Sequence, residues 1–440
     1  MSEYDLIIIG AGSGGYRAAV TAGSMGKKVL VIERHKAGGV CLHNGCVPSK
    51  TFYQTAKIIK NLHGQKKNSL LEAELNWNME KLIRYRDGVI SKLEKGIEFL
   101  FKKNNIEMIK GQAHLIKEKN KPLVMVNDKK FQAPFIIVAT GSRNAAPSTW
   151  QDRVLSPDEF IRLGGYPGSV AIIGGGVIGC EFAGIFSQFN VDITVIEKEN
   201  RLLPFLDKDL GEVVEKSLKE IGVKVYTGQT VSKISDGLIL SDKTKIKAEK
   251  IIACMGRRPN TEWTEDLIQT DEKGFIKVDN NFKTSCDGVY AVGDVINKDS
   301  MYAHLASFQG EALVLHLFQS KKIHPAHSPY GIFTFPQIAG IGMSEDQAVK
   351  AGLDHEVIRS PLFATSIGKI QDDRTGFMKV IKQKSRDKLF GIHVASPSAC
   401  EMIHTASVLF NNDLAQAASL KNTVFIHPTE SEIFHDIQVF

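Results

Sequence analysis

Three groups of residues in this sequence have the types and spacing to do chemistry. The first is Gly38-Gly39-Val40-Cys41-Leu42-His43-Asn44-Gly45-Cys46-Val47-Pro48-Ser49-Lys50, in which two thiols stand five positions apart and a lysine follows. Thiols this close can form a small disulfide loop, and in an intracellular enzyme such a loop is more often redox-active than structural. Thr51–Ile59 reads as a helix, and the free N–H groups at a helix start favour a thiolate. Two plainer readings stand beside this one: a zinc site using His43, or two unrelated buried thiols. Zinc needs a second close pair of ligands, and Cys180, Cys254, Cys286 and Cys400 stand singly, so no metal is expected. The second group is His427-Pro428-Thr429-Glu430-Ser431-Glu432, a histidine with a carboxylate five residues on. It has the parts of a base with an orienting acid, although on its own it reads as a surface turn. The third group is a pair of glycine clusters able to cradle phosphates.

Each glycine cluster sits between elements that would position it. Asp5–Ile9 reads as a buried parallel strand, and Gly10, Gly12 and Gly15, with Ser13 and Gly14 among them, follow directly. Tyr16–Met25 reads as a helix, and a second strand, Lys28–Ile32, ends on Glu33, 23 positions after Gly10. Glycines let the backbone approach a pyrophosphate at the helix start, and the acid accepts from a ribose hydroxyl. The pattern then repeats. Strand Ser169–Ile173 leads to Gly174, Gly176, Val177, Ile178 and Gly179, and strand Asp192–Ile196 ends on Glu197, again 23 positions on. Two complete units predict two dinucleotides, FAD at the first and a nicotinamide dinucleotide at the second. Glu197 would repel a 2′-phosphate, and the residues after it, Lys198-Glu199-Asn200-Arg201, are of mixed charge, so NAD is expected over NADP.

The remaining segments supply scaffolding. Thr51 to about Gln112 reads as helical, with an amphipathic run over Met79–Phe101, and Asn120–Lys130 as a lysine-rich turn. Ala133–Ser142 is a buried strand ending in Ala139-Thr140-Gly141. A further strand precedes Gly256, and Thr284–Asp294 is a strand closing on Gly293-Asp294, where the aspartate has a plain reading as a turn acid. From Gly331 the pattern changes to short strands (Gly331–Thr334, Phe377–Gln383, Lys388–Val394) alternating with helices (Ser344–Ala351, Ser398–Asn411), an α+β domain. With 440 residues the chain has length for two to four domains. The net charge of +6 is dispersed, so no nucleic acid is expected. No apolar run approaches the ~20 residues of a membrane span. Strand residues begin at Tyr4 with no room for a signal peptide, and six cysteines are too few for a secreted scaffold, so a cytoplasmic protein is expected.

The order of these motifs resembles the pyridine nucleotide–disulfide oxidoreductases over essentially the whole length: the Gly-Gly-x-Cys-x4-Cys-Val-Pro-Ser-Lys segment, the two glycine units, Ala-Thr-Gly, Gly-Arg-x-Pro-Asn, the segment ending at Asp294, and His-Pro-Thr-x-x-Glu. The resemblance implies an α/β fold with two Rossmann-like domains, for FAD and NAD, and a C-terminal α+β dimerisation domain. It divides the chain into 1–142 for FAD, 143–262 for NAD, 263–326 returning to FAD, and 327–440 for the interface. It implies a homodimer whose site joins the Cys41–Cys46 disulfide of one subunit to His427 of the other. Cys41 would exchange with substrate, Cys46 would lie against the flavin, Glu432 would hold His427, and Lys50 and Glu181 would pair near the flavin's reactive nitrogen. Gly39, Val40, Ala303 and His304 would join the flavin site. Val177, where the glutathione branch carries a tyrosine, together with Glu197, directs the resemblance to the branch that oxidises dihydrolipoamide with NAD. Lipoyl groups of a 2-oxo acid dehydrogenase complex or of the glycine cleavage system are then the expected substrates. A glutathione-reductase-like enzyme and a non-catalytic flavin and NAD sensor are the alternatives. Phe425 stands where the lipoamide branch has a first histidine, His43-Asn44 replaces a commoner Asn-Val, and only eight residues follow Glu432.

Overall fold

Leu6-Ile7-Ile8-Ile9 has no polar side chain to give to water, and in the computed structural model all four residues are buried at the centre of a parallel sheet. The structure describes residues 4–67, 70, 72, 74–119, 121–150, 153–235, 237–264, 267–296, 300–323 and 327–436. From β1 (Leu6–Ile9) the chain passes through α1 (Ser13–Ser24), β2 (Val29–Glu33), α2 (Gly39–His43), α3 (Cys46–Lys67), α4 (Met79–Lys103) and β3 (Glu107–Lys110). The stretch expected to be helical to Gln112 therefore ends in a strand. Met108 and Ile109 alternate on the sheet edge, too short a run to show a period in the sequence.

Next come β4 (His114–Glu118), β5 (Lys121–Val126) and β6 (Lys129–Phe131), a three-stranded antiparallel sheet over most of the stretch expected to be a turn. Its lysines fall on exposed positions, while Val124, Val126 and Phe131 are buried. Residue 120 of that stretch lies outside the described residues. β7 (Phe135–Val138) pairs with β1, and β8 (Ser142–Asn144) leaves the first sheet.

The second unit repeats the first: α5 (Pro157–Phe160), β9 (Ser169–Ile173), α6 (Val177–Ser187), β10 (Asp192–Ile196), α7 (Lys208–Glu220) and β11 (Lys224–Tyr226). Strands β12 (Val231–Ile234), β13 (Leu238–Leu240) and β14 (Lys245–Ile246) form a small antiparallel sheet. β15 (Lys250–Ala253) then completes the parallel order β11-β10-β9-β15. β16 (Arg257–Pro259) pairs antiparallel with β8, a ribbon between the two units. β17 (Val289–Ala291) returns beside β7, giving the first sheet its order β17-β7-β1-β2-β3. α8 (Ala303–Gln319) crosses α1 so closely that a Cβ on Gly310 would lie 2.3 Å from the Gly14 carbonyl oxygen.

The C-terminal part is an antiparallel sheet of order β18-β19-β22-β21-β20, built from β18 (Tyr330–Ile332), β19 (Gln337–Gly342), β20 (His355–Pro361), β21 (Phe377–Gln383) and β22 (Leu389–Ser396). Helices α9 (Glu345–Lys350), α10 (Ser366–Ile370) and α11 (Ala399–Asn411) accompany it. The sequence showed three of these five strands. β19 is buried along five of its six residues and so carries no alternation, and β20 is a largely polar edge. The chain end Ile437–Phe440 lies outside the described residues.

Two helices that matter for the site are packed together by aromatic rings. Phe52 on α3 meets Phe186 on α6 at 5.5 Å between ring centroids, with Phe160 at 4.9 Å from Phe186. Each buried ring of this kind contributes roughly 2–3 kcal/mol. Arg86 of α4, 2% exposed, reaches the same seam and donates to the carbonyls of Ile161 and Leu163. A buried guanidinium is tolerated because its donors find acceptors.

Candidate active site

The two glycine loops have the same geometry. Gly10 and Gly174 both have positive φ, 101° and 112°, and a Cβ on either would strike the carbonyl of the neighbouring strand, Ala139 at 2.4 Å and Cys254 at 2.3 Å. Gly15 and Gly179 lie against the carbonyls of Gly10 and Gly174, which lets each helix seat on its first strand. A Cβ on Gly176 would meet nothing within 4 Å, and one on Gly12 only Gly39, at 4.0 Å, so both face open space. The acids match as well. Glu33 accepts from Ala11 N and His35 N, both at 2.8 Å, and Glu197 from Gly175 N at 2.6 Å and Glu199 N at 2.8 Å. Both carboxylates are buried and anchored on two N–H groups, with lone pairs left for ribose hydroxyls. Open backbone, a helix start and an anchored acid in each unit fit a dinucleotide at each.

The redox segment is folded onto the first loop. Gly39, with φ of 61°, opens α2 so close to Gly12 that a Cβ would lie 2.7 Å from the Gly12 Cα, while Val40 stays exposed. Cys41 lies within α2, and Cys46 opens α3, so the helix starts at the second cysteine rather than at Thr51. Both cysteines are thiols, hydrogen-bonded to each other, and Ser13 of α1 bonds Cys41. The Cys41 hydrogen bond, aided by the Lys50 charge and the backbone at the helix start, pulls the Cys46 thiol down to about 7. The proton shared with Cys46, together with burial, pushes Cys41 far above the ordinary thiol value. Of the two thiols, Cys46 is therefore the one that ionises first. Burial pushes the other thiols up, and none of them pairs with a second cysteine.

Lys50, one turn into α3, lies 2.6 Å from Glu181 of α6. The second Glu181 oxygen accepts from Phe333 N at 2.9 Å, and Lys50 also sits 4.5 Å from the Phe333 ring centroid. On the far side of the first unit, Ala139, Thr140 and Gly141 follow β7 directly, with Thr140 Oγ1 donating to Asn260 O at 2.7 Å. Gly293 N donates to Gln309 of α8, and Asp294 accepts from Ser142 at 2.6 Å. Ala303 and His304 begin α8. His304 bonds Pro329 O at 2.8 Å and stacks on Tyr302, and partial desolvation of its ring holds its pKa below the ordinary histidine value. Gly256 closes the second unit with φ of 92° and open space at its Cα.

Among the described residues, His427 and Glu432 make no hydrogen bond to either redox cysteine. His427 Nδ1 bonds Glu432 Oε1 at 2.9 Å, and Thr429 N donates to the other oxygen at 3.0 Å. The backbone donor first, and then the imidazole, hold the Glu432 carboxyl below its usual range. The His427 side chain is 67% exposed, and among the described residues its only hydrogen bond is to Glu432. Phe425 turns inward, stacked on Phe434 at 6.0 Å. Sequence reasoning missed Ser142, Arg257, Gln309 and Phe333, which bind or orient the chosen residues. Ser142 and Arg257 had a signal, the first directly after Ala-Thr-Gly and the second as the arginine of Gly-Arg-x-Pro-Asn. Among the described residues no cluster of three or more ligating side chains could hold a metal, and no helix is long and apolar enough to cross a membrane.

Residues 4–310 match the family described as pyridine nucleotide-disulphide oxidoreductase, and residues 328–437 match its dimerisation domain. The chain is 33% identical to the dihydrolipoyl dehydrogenase of Thermus scotoductus, over 98% of this chain and 96% of that protein. Identity to the Bacillus subtilis dihydrolipoyl dehydrogenase is 31%, again over 98% and 96%. Among solved structures, the HOCl-induced flavoprotein disulfide reductase RclA of Escherichia coli superposes with a TM-score of 0.86 at 25% identity, covering 98% of this chain and 99% of that one. LpdA of Mycobacterium tuberculosis shares the fold, with a TM-score of 0.88 at 22% identity, over 99% and 98%.

Proposed function

The chain belongs to the pyridine nucleotide-disulphide oxidoreductase family, and we propose that it oxidises dihydrolipoamide to lipoamide with NAD+, releasing NADH and a proton. It is an FAD-dependent dithiol/disulfide oxidoreductase working with NAD(H), and its C-terminal dimerisation domain supports a homodimer. The observation that carries the reading is the Cys41–Cys46 pair, lodged against the first dinucleotide loop and tied by Lys50–Glu181 to the helix of the second. The proposed division is 1–142 and 263–326 for FAD, 143–262 for NAD, and 327–440 for the subunit interface.

In the proposed cycle Cys41 and Cys46 begin as a disulfide. A substrate thiolate attacks Cys41 Sγ, the Cys41–Cys46 bond breaks, and Cys46 leaves as the thiolate that its surroundings favour. The partner subunit's His427 takes the proton of the second substrate thiol. That sulfur then attacks the first substrate sulfur, closing the substrate disulfide and breaking its bond to Cys41, which leaves as a thiolate and takes the proton from His427. Glu432, anchored by Thr429 N, holds the imidazole with Nε2 outward. FAD, held by the Gly10–Gly15 loop, Glu33 and Asp294, supplies the two-electron link from the dithiol to NAD. The Gly174–Gly179 loop would hold NAD, Glu197 would accept from its ribose hydroxyls, and Gly256 would leave it room. Lys50 and Glu181 keep a fixed charge pair between the two cofactor sites. The substrate is proposed to reach the protein as a lipoyl group of a 2-oxo acid dehydrogenase complex or of the glycine cleavage system, in the cytoplasm.

Phe425, packed inward where the lipoamide branch has a histidine, favours a second reading in which NADH reduces another disulfide through the same residues. Steady-state rates with dihydrolipoamide and NAD+, set beside NADH with lipoamide, glutathione disulfide and other disulfides, test both. Dihydrolipoamide is expected to give the highest kcat/KM, and a rate below those of the other disulfides would overturn the first reading.

A further inference from the structure

We propose that Arg257 and Ser142 are positioning residues for the flavin, a two-step relay in which the second unit sets the carboxylate of Asp294. The inference rests on the reading of the first unit as the FAD site. Ser142, 4% exposed on β8, has its Oγ 2.8 Å from Arg257 Nε and 2.6 Å from Asp294 Oδ2. A guanidinium can only donate and a carboxylate only accept. The Ser142 hydroxyl therefore accepts from Arg257 and gives its own proton to Asp294, so the direction of both bonds is fixed.

Arg257 is itself held. Its Nη2 donates to Ser142 O at 2.8 Å, and Nη1 lies 3.3 Å from both Asn144 Oδ1 and Asp158 Oδ1. The β8–β16 ribbon sets this register, with Arg257 opposite Asn144 and Pro259 opposite Ser142. Gln309 fixes the adjoining peptide by accepting from Gly293 N at 2.8 Å. Among the described residues Asp294 Oδ1 takes no hydrogen bond, which leaves it for a ligand hydroxyl. A carboxylate locked through one oxygen presents the other in a single direction, so ordering it costs little when the ligand binds. Arg257 follows the last strand of the nicotinamide unit, so the hold on the flavin depends on a residue outside the flavin sheet.

The test is titration of apoprotein with FAD, read by flavin fluorescence, together with the thermal midpoint of the apoprotein. Ser142→Ala is expected to weaken FAD binding about tenfold, Ser142→Thr to restore it to within about twofold, and Arg257→Met to weaken it by a smaller factor. The apoprotein midpoint of Ser142→Ala should stay within about 2 °C of the parent, because only a side-chain oxygen is removed. If parent and Ser142→Ala bind FAD alike, the relay is wrong while the functional reading stands. If the apoprotein midpoint falls as far as that of the FAD-loaded form, the serine is merely structural and the relay is again wrong. A parent apoprotein that takes up no FAD overturns both.

Discussion

Lys50 Nζ lies 2.6 Å from Glu181 Oε2, and this bond joins the helix that begins at Cys46 to the helix that begins at the second glycine loop. The glutamate side chain is 6% exposed and the lysine 28%, so the carboxylate depends on the lysine far more than the reverse. Lys50→Met should lower stability by about 2 kcal/mol, a figure reduced for the lysine's exposure, read as a shift in the denaturant midpoint. It should also move the Cys46 ionisation up from near 7, because Lys50 favours that thiolate and Glu181 opposes it. A Cys46 titration unchanged in Lys50→Met would show that the lysine does not act on the thiol.

The thiol pair gives a pH dependence with a definite sign. In the dithiol protein the Cys46 proton leaves near 7 while Cys41 keeps its proton far above the ordinary thiol range. Between pH 7 and the ordinary thiol value of 9, the unfolded chain binds that proton and the folded chain does not. Stability of the dithiol form from this group therefore rises with pH through that window, and it is lost as pH falls through 7. Thiolate absorbance and alkylation by iodoacetamide should both show one thiol titrating near 7. Cys41→Ala removes the principal cause of the depression and should move that midpoint upward. Loss of one thiol with no change in the other would count against the shared proton.

Much of this arrangement could be read in the sequence, for identifiable reasons. A buried parallel strand followed by spaced glycines and a terminal acid is a local pattern, so both dinucleotide units, with Glu33 and Glu197, were visible before any contact was known. The Lys50–Glu181 pair spans 131 positions, and only resemblance suggested it. Ser142 and Arg257 were not chosen, since a serine gains meaning only when a donor and an acceptor from distant strands meet at its hydroxyl. Strands β3, β4 and β20 escape sequence reading because short, half-exposed edges rich in polar residues carry little periodicity, and β5, central in its small sheet, because it opens on Lys121-Pro122 and its apolar run does not alternate.

Glu197 sets the expected cofactor preference. Its oxygens are already anchored on Gly175 N and Glu199 N, so it cannot swing away from a 2′-phosphate. Of the nearby cations, Arg201 is committed to the carbonyls of Pro204 and Leu206 at 3.1 and 3.0 Å, and Lys198 lies 3.4 Å from the Glu199 carboxylate. NAD should be preferred over NADP by roughly 10²-fold or more in kcat/KM, as two like charges in a half-buried site cost a few kcal/mol. Glu197→Arg should reduce that preference. Equal kcat/KM for the two cofactors in the parent enzyme would refute the assignment.

His427 tests function and assembly together. Its ring is held by Glu432 and points outward, 67% exposed, with no hydrogen bond to either redox cysteine of its own chain among the described residues. If the partner's dithiol site uses it, His427→Gln should slow exchange with substrate by ~10²–10⁴-fold. Reduction of the bound flavin by NADH should persist, since that step moves no proton through the imidazole. The defect should ease as pH rises toward the ordinary thiol range, where the second substrate thiol ionises without the base. Mixing inactive His427→Gln and Cys41→Ser proteins under conditions that exchange subunits should restore activity. A hybrid dimer contains one site with both an intact cysteine pair and an intact histidine. Hybrids verified by native mass spectrometry yet without activity would place the base and the thiols in the same subunit.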